Sequence, residues 1–373
     1  MRFGEYTIMK YILLEECCEI LDSFRIPITA SSREKGIYPY YGANGIQDYV
    51  SSYIFDDELV LLAEDGGSFG SKTKPIAYRV SGKCWVNNHA HVLKPKEGVD
   101  VDFLCYSLMF YSTEGLVNGA TRQKLTQSAM RKMKIPKLHI DVQRNIVKEI
   151  KSVKAIIEIR EKQLEKLSLL VRARFVELFE EIKETCNVNY YIKELIAGKS
   201  LASEVECKNK VLKTGAASFD YFDGSQVKNL PINYEPKEEH LVHKGDIIIS
   251  RMNTAELTGA AAYVWEVSDN VYIPDRLWKA VIRDGVNPIF LWNMLIQPST
   301  KEQIQRVCSG TSGSMKNISK LGMLGIRVKK VDSCLQNEFA TFVEQVNKSK
   351  VEVQKALDKA QLLFDSLMQK YFG

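Results

Sequence analysis

With 373 residues, 45% of them apolar and 26% charged, the chain has the composition of a folded protein long enough for about two domains, which excludes fibrous and disordered classes. No apolar run approaches the roughly 18 residues that a membrane-spanning helix needs, so no membrane partner is expected. The net charge of +5 does not by itself demand a nucleic-acid partner. The eight cysteines lack C-x-x-C spacing and no leader segment is read at the start, so they are expected as reduced thiols in a cytoplasmic protein.

The first 140 residues are rich in turns and short strands. Tyr38 to Gly45 is turn chemistry. Tyr53 to Phe55 and Leu59 to Ala63 read as two strands broken by Asp56-Asp57. Ile76 to Val80 and Cys84 to Val86 read as a hairpin, followed by a helix from about Asp102 to Tyr111. Strands that cluster in this way give an α+β pattern rather than a parallel βαβ sheet. From residue 141 a heptad pattern takes over, with Ile146, Ile150, Val153, Ile157, Arg160, Leu164, Leu167, Val171, Arg174 and Leu178 spaced three and four apart, all but the two arginines apolar. Residues 186 to 331 return to short strands, predicted at Val211 to Ala216, Asp246 to Ser250 and Gly259 to Val264, with a helix at Pro288 to Ile296. A second heptad helix follows, carrying Phe339, Val343, Val346, Val353, Leu357, Phe364 and Leu367, with Lys350 as its charged interruption.

The second half repeats the first. At a shift of 193 residues, Leu125 falls on Ile318, Met130 on Met323, Ile135 on Val328, Gln143 on Gln336 and Phe179 on Phe372. Upstream the shift becomes 187, pairing Phe103 with Phe290 and Leu108 with Leu295, so loop insertions separate matched elements. Each copy holds a stretch free of Asp and Glu: residues 115–140 with Arg122, Lys124, Arg131, Lys132, Lys134 and Lys137, and residues 303–331 with Arg306, Lys316, Lys320, Arg327, Lys329 and Lys330. Two local positive patches in a nearly balanced chain suit phosphate contact, and two similar modules suit a long, two-part ligand such as DNA. Neither heptad helix could bury its seam alone, so an antiparallel pairing within the chain is expected, with the modules at the two ends of a rod.

Catalytic chemistry is not legible. Gly66 to Thr73 resembles a phosphate loop, but Ser71 rather than Gly precedes Lys72, and Pro75 leads into a strand instead of a helix. It reads better as a hairpin tip that brings Lys72 and Lys74 to a DNA backbone. Glu206-Cys207-Lys208 lacks the carboxylate partner of a metal-dependent nuclease. His89, His91, His240 and His243 have no evident set of companions for a metal, so no metal, cofactor or catalytic residue is expected. No glycine-rich cofactor loop or base-flipping motif of a methyltransferase is present either.

Taken together, the turn at Gly119 to Thr126, its diverged copy at Gly310 to Ser319, the short Ile135-Pro136 strand, Gln143 and Gln336 opening the long helices, the Phe175 to Phe179 ending and Tyr40 to Gly45 give a resemblance. The chain resembles the specificity (S) subunit of type I restriction-modification systems over essentially its whole length. The second copy departs at Gly313 to Asn317, at Lys329 in place of Pro136, and at Cys334-Leu335 before Gln336. The resemblance implies two similar α/β target recognition domains, residues 1–140 and 186–331, joined by an antiparallel two-helix coiled coil, residues 141–185 and 332–373, in a pseudo-twofold internal repeat.

It further implies that each domain reads one half of a split double-stranded DNA site, while the helices fix the gap and dock two methyltransferase (M) subunits, with restriction (R) subunits in the full complex. S-adenosylmethionine, ATP and Mg²⁺ would belong to those partners. Loop residues able to meet phosphates and base edges are Tyr41, Asn44, Lys72, Lys74, Asn88, Arg122 and Lys124 in the first domain. In the second they are Arg251, Asn253, Arg276, Ser314, Lys316 and Asn317. The competing reading is a non-enzymatic coiled-coil scaffold that binds other proteins.

Overall fold

The structure, a computed structural model, describes residues 10–119, 122–310 and 315–373. The chain divides into two compact units, residues 1–162 with 354–373 and residues 163–353. In unit one, β1 (Tyr11–Leu13), α1 (Leu14–Cys17), β2 (Cys18–Ile20), β3 (Lys35–Gly42), β4 (Gly45–Val50), β5 (Phe55–Ala63), β6 (Ala77–Val86) and β7 (Ala90–Pro95) lead into α2 (Val101–Met109). Then come β8 (Val117–Asn118), β9 (Lys124–Leu125), α3 (Gln127–Arg131), β10 (Lys134–Pro136) and the 40-residue helix α4 (Ile140–Phe179). Unit two runs through β11 (Thr185–Asn187), β12 (Ile192–Ile196), β13 (Lys210–Leu212), β14 (Val227–Asn229), β15 (Ile247–Ser250), β16 (Met252–Asn253), β17 (Ala261–Tyr263), β18 (Val271–Tyr272) and β19 (Leu277–Ile282). It continues with α5 (Pro288–Leu295), α6 (Pro298–Val307), β20 (Lys316–Asn317), α7 (Lys320–Leu324), β21 (Arg327–Lys329) and the 40-residue helix α8 (Ser333–Phe372), whose residues from 354 on belong to unit one.

The repeat read from sequence is a repeat of strand order. Unit one has a six-stranded sheet in the order β2-β7-β5-β6-β3-β4; unit two has a four-stranded sheet, β12-β19-β15-β17, and a three-stranded one, β14-β13-β18. Leu62 faces His91 across β5 and β7, as Ile249 faces Trp278 across β15 and β19, both at the shift of 187. The long β6 corresponds to β17 and β18 together: β6 pairs antiparallel with β5 and parallel with β3, while β17 pairs antiparallel with β15 and β18 parallel with β13. The central strand is apolar on both faces, as a strand covered on both sides must be. Val60 and Leu62 enter one core and Leu59 and Leu61 another; in unit two Ile247 and Ile249 are separated from Ile248 in the same way.

Each long helix divides its apolar seam between the units. Ile146, Ile150 and Val153 of α4 share the core of unit one with Phe364 and Met368 of α8. Val171, Phe175 and Phe179 of α4 share the core of unit two with Phe339, Val343 and Val346 of α8. The start of one helix therefore packs on the end of the other, the antiparallel pairing expected from the heptads. Phe179 closes against Phe290 of α5 at 5.2 Å between ring centroids, and its duplicate Phe372 closes against Phe103 of α2 at 5.4 Å.

Several local expectations need correction. Asp56-Asp57 does not break a strand: β5 runs unbroken from Phe55, and alternation puts the two acids on opposite faces of its outer end, Asp56 opposite Lys83 and Asp57 bound to Lys94 at 2.7 Å. The expected hairpin at Ile76 to Val86 is one strand, β6, which passes through Gly82 at φ 75°, a conformation glycine accommodates without strain. Predicted strand residues Thr214 to Ala216 belong to a 3-10 turn, Thr214–Ala217, following β13. The helix predicted at Asp102 to Tyr111 ends at Met109, and α4 ends at Phe179, short of residue 185.

Candidate nucleic-acid interface

A buried glutamine in each unit ties the long helix to the sheet domain. The Gln143 side chain accepts from the Asp100 amide at 2.9 Å and donates to the Leu138 carbonyl at 2.9 Å. Gln336 accepts from the Asn287 amide at 3.0 Å and donates to the Val331 carbonyl at 2.8 Å. Asp100 and Asn287 in turn cap α2 and α5 by accepting from the amides two and three residues on. The two glutamines matched by the repeat therefore act alike, each fixing the N-terminus of a short helix against the start of a long one.

At the far end of the central strand the units part company. In unit one, Glu64 follows β5, and its carbonyl accepts from the Leu125 amide at 2.7 Å. Its carboxylate binds Arg25 at 2.6 Å and Lys124 at 2.9 Å. Beneath it, the fully buried His91 binds Asp22 through Nδ1 at 2.6 Å and donates from Nε2 to the Leu125 carbonyl at 2.9 Å. Asp22 also accepts from the Val92 amide and from Gln127, and Arg25 donates to the Ala90 carbonyl. Burial would raise the Asp22 carboxyl, but the hydrogen bond and charge of His91 outweigh it and hold it below the usual carboxylate value. Glu64 is held low in the same way, its burial outweighed by Arg25 and Lys124.

The donor atoms of Asp22, Glu64 and His91 lie within 4.8 Å of one another, close enough to hold a metal ion. The Arg25 guanidinium, however, stands against both carboxylates, 3.4 Å from Asp22 and 2.6 Å from Glu64, and supplies the positive charge there. This network escaped the sequence reading because its members are far apart in the chain: Asp22 and His91 are separated by 69 positions.

Around this strand end the structure gathers five of the seven first-domain candidates. Asn44 donates to the Gly66 carbonyl at 3.0 Å, and the Tyr41 carbonyl accepts from the Asn87 amide beside exposed Asn88. Arg122 binds Asp65 at 2.7 Å, and His89 shares the same carboxylate oxygen at 2.7 Å. Lys124 forms a backbone bridge with Asp65 as well as its ion pair with Glu64. Lys72 lies elsewhere, in a groove of about 920 Å³ lined by Phe69, Tyr106, Phe110, Phe364 and Phe372. Lys74 is exposed on the same loop, its amide donating to Ser71.

In unit two the end of β15 carries Arg251, whose carbonyl accepts from the Ile318 amide and whose amide donates to the Arg276 carbonyl at 3.0 Å. Met252 faces Asn317 and Asn253 faces Lys316 across β16 and β20, so Arg251, Asn253, Arg276, Lys316 and Asn317 form one patch. Asn253 donates to Ser218 at 3.1 Å, and Lys316 donates to the Gly310 carbonyl at 2.7 Å. Ser314 lies outside the described residues. No helix among the described residues is long and apolar enough to cross a membrane.

Comparison with known proteins gives this geometry relatives. The family model described as "Type I restriction modification DNA specificity domain" matches residues 9–169. This part of the chain is similar to a type I restriction-modification DNA specificity domain. A type I restriction enzyme specificity subunit of Haemophilus influenzae is 39% identical over 143 residues, 38% of this chain and 37% of that protein. The EcoEI specificity subunit of Escherichia coli is 23% identical over 184 residues, 48% of this chain and 31% of that protein. The matched stretches thus span about a third of the length of these relatives.

The fold likeness is wider. The S subunit of a type I restriction-modification system from M. genitalium aligns over 100% of this chain and 98% of its own, with a TM-score of 0.62 at 13% identity. A second structure, from work on complex assembly and conformational transition of the type I R-M system, aligns over 100% and 99% with a TM-score of 0.54 at 14% identity. At such identity the likeness establishes the fold alone: an α+β architecture like that of these solved structures, over both units and both long helices. The likeness over residues 9–169 favours the specificity-subunit reading over the scaffold alternative.

Proposed function

We propose that this chain is the DNA-recognition subunit of a type I restriction-modification complex. Its recognition domains, residues 1–140 and 186–331, each read one half of a split site on double-stranded DNA. The spacer helices, residues 141–185 and 332–373, set the gap and dock two methyltransferase subunits, with restriction subunits joining the full assembly in the cytoplasm. The chain supplies no catalytic group; S-adenosylmethionine, ATP and Mg²⁺ act on the partner subunits. The observation that carries this reading is that one strand order, held by one glutamine device, presents different side chains at the same strand end. Two such ends, one built around Glu64 and one around Arg251, suit two different half-sites.

The phosphate-contacting side chains are Lys72, Lys74, Arg122, Lys124 and Lys316. Tyr41, Asn44, Asn88, Arg251, Asn253, Arg276, Ser314 and Asn317 complete the interface. Mapping methylated bases in the source genome with and without this gene tests the proposal: a bipartite motif should vanish with the gene. Inserting one heptad into both long helices lengthens each by ~10 Å and should widen or abolish the motif's gap by about three base pairs at ~3.4 Å per step. A methylation pattern indifferent to loss of the gene would overturn the proposal. An unaltered gap would remove the helices as its ruler.

A further inference from the structure

We infer that Arg251 is the specificity-determining side chain of the second unit and that it reads a guanine in one half of the site; this rests on the function proposed above. Arg251 occupies the place that Glu64 holds in unit one, directly after the central strand, with its carbonyl tied to the residue that matches Leu125. Glu64 is consumed by Arg25 and Lys124. The Arg251 side chain has no hydrogen-bond or ion-pair partner among the described residues, and its Nε is buried and unsatisfied. The guanidinium is carried instead over the ring of the fully buried Trp278, 5.7 Å from the centroid, where unit one has His91.

Buried polar atoms without a partner are rare in folded proteins, so one that persists at a proposed interface points to a partner supplied from outside. Asn317, on the neighbouring strand pair, likewise has a buried side-chain oxygen without a partner. An arginine stacked on an aromatic face is pre-oriented and loses little freedom when it binds. Its fork of donors matches the O6 and N7 acceptors of guanine in the major groove; adenine opposes one of those donors with its own amino group. Lysine cannot reproduce that two-pronged match.

The test selects DNA from a randomised pool with the full chain, bound to the methyltransferase subunit of its own source, and compares the wild type with Arg251→Ala and Arg251→Lys. The wild type should return a bipartite motif with guanine at one position of one half. Both variants should lose the preference there by about 10- to 100-fold, leaving the other half and the gap unchanged. Arg251→Lys retains the charge and the packing over Trp278, so it decides the matter if Arg251→Ala fails to fold. Retention of the guanine preference by Arg251→Lys, or a uniform loss of affinity across all sequences in Arg251→Ala, would show a phosphate contact and overturn the inference. A wild type that returns no motif at all would instead sink the proposed function itself.

Discussion

Gln143 and Gln336 share a pair of hydrogen bonds in the two units, one accepted from a helix-capping residue's amide and one donated to a carbonyl five residues back, whereas Glu64 and Arg251 occupy the same strand end with opposite charge. The difference separates what holds the scaffold from what varies at the strand end. The glutamines bond only to backbone, so they serve any loop sequence that follows. The strand ends bond to side chains, and there each unit is built differently. Unit one closes its acids with Arg25, His91 and Lys124, a self-satisfied network; unit two leaves a guanidinium over an indole. A duplicated chain can thus vary its contacts without disturbing the frame.

The largest test of the shared frame is at the ends of the long helices. Phe179 is fully buried among Phe175, Phe290 and Phe339, so Phe179→Ala should cost about 3–5 kcal/mol by removing a large core side chain. Its duplicate Phe372 is only half-buried, and Phe372→Ala should cost about half as much. Thermal or denaturant unfolding of the two variants measures this asymmetry. Equal losses would mean that the two helix ends are packed alike in solution.

The glutamines predict symmetry instead. Gln143→Leu strands the Asp100 amide and the Leu138 and Gly98 carbonyls; Gln336→Leu strands the Asn287 amide and the Val331 carbonyl. Loss of the shared amide and carbonyl bonds should cost about 2–6 kcal/mol in either variant, at ~1–3 kcal/mol per buried group left unpaired, and the Gly98 carbonyl adds to the loss in Gln143→Leu. Destabilisation confined to one of the two variants would break the claim of a common device.

These examples also show what a sequence can and cannot disclose. The heptads and the repeat were legible because they are periodic, and Gln143 was legible as a partner of Gln336 by alignment alone. Its bonds were not, since they reach the Asp100 amide 43 positions away. Asp56-Asp57 misled because a pair of acids resembles a break until the face each one takes is known. Basic candidates were legible as residue types, yet pairing Arg122 with Asp65 and leaving Arg251 without an acid depends on which distant carboxylates the fold brings near.

Acid distinguishes the strand ends. Asp22 and Glu64 have folded values below their ordinary 3.8 and 4.5, so they contribute stability that is present above those values and is lost as pH falls through the depressed ones. At the matched end of unit two, Arg251 lies over Trp278 with no acid partner among the described residues. Amide hydrogen exchange at falling pH should show β2, β5 and β7 loosening below about pH 4, and Asp22→Asn should blunt the change. Parallel loosening around Arg251 would mean that the acid response is global and says nothing about the network.

The smallest expected effect concerns the seam. Ile157 of α4 packs against the core of unit one, while its duplicate at the shift of 193 is Lys350, half-buried on α8 in unit two. Burial, reinforced by the charge of Arg172, pushes the Lys350 amine below its ordinary 10.5. A lysine whose folded value is depressed opposes folding while it is charged, so its penalty is full below that value and fades as pH rises toward 10.5. Lys350→Ile, which copies the residue of the first helix, should therefore stabilise the chain at neutral pH by about 1 kcal/mol, seen as a rise of a few degrees in melting temperature. The advantage should shrink in melts at alkaline pH. If the variant melted lower than the parent at pH 7, Lys350 would be making a favourable contact in the seam, and the two halves of the helix pair would differ in design as well as in sequence.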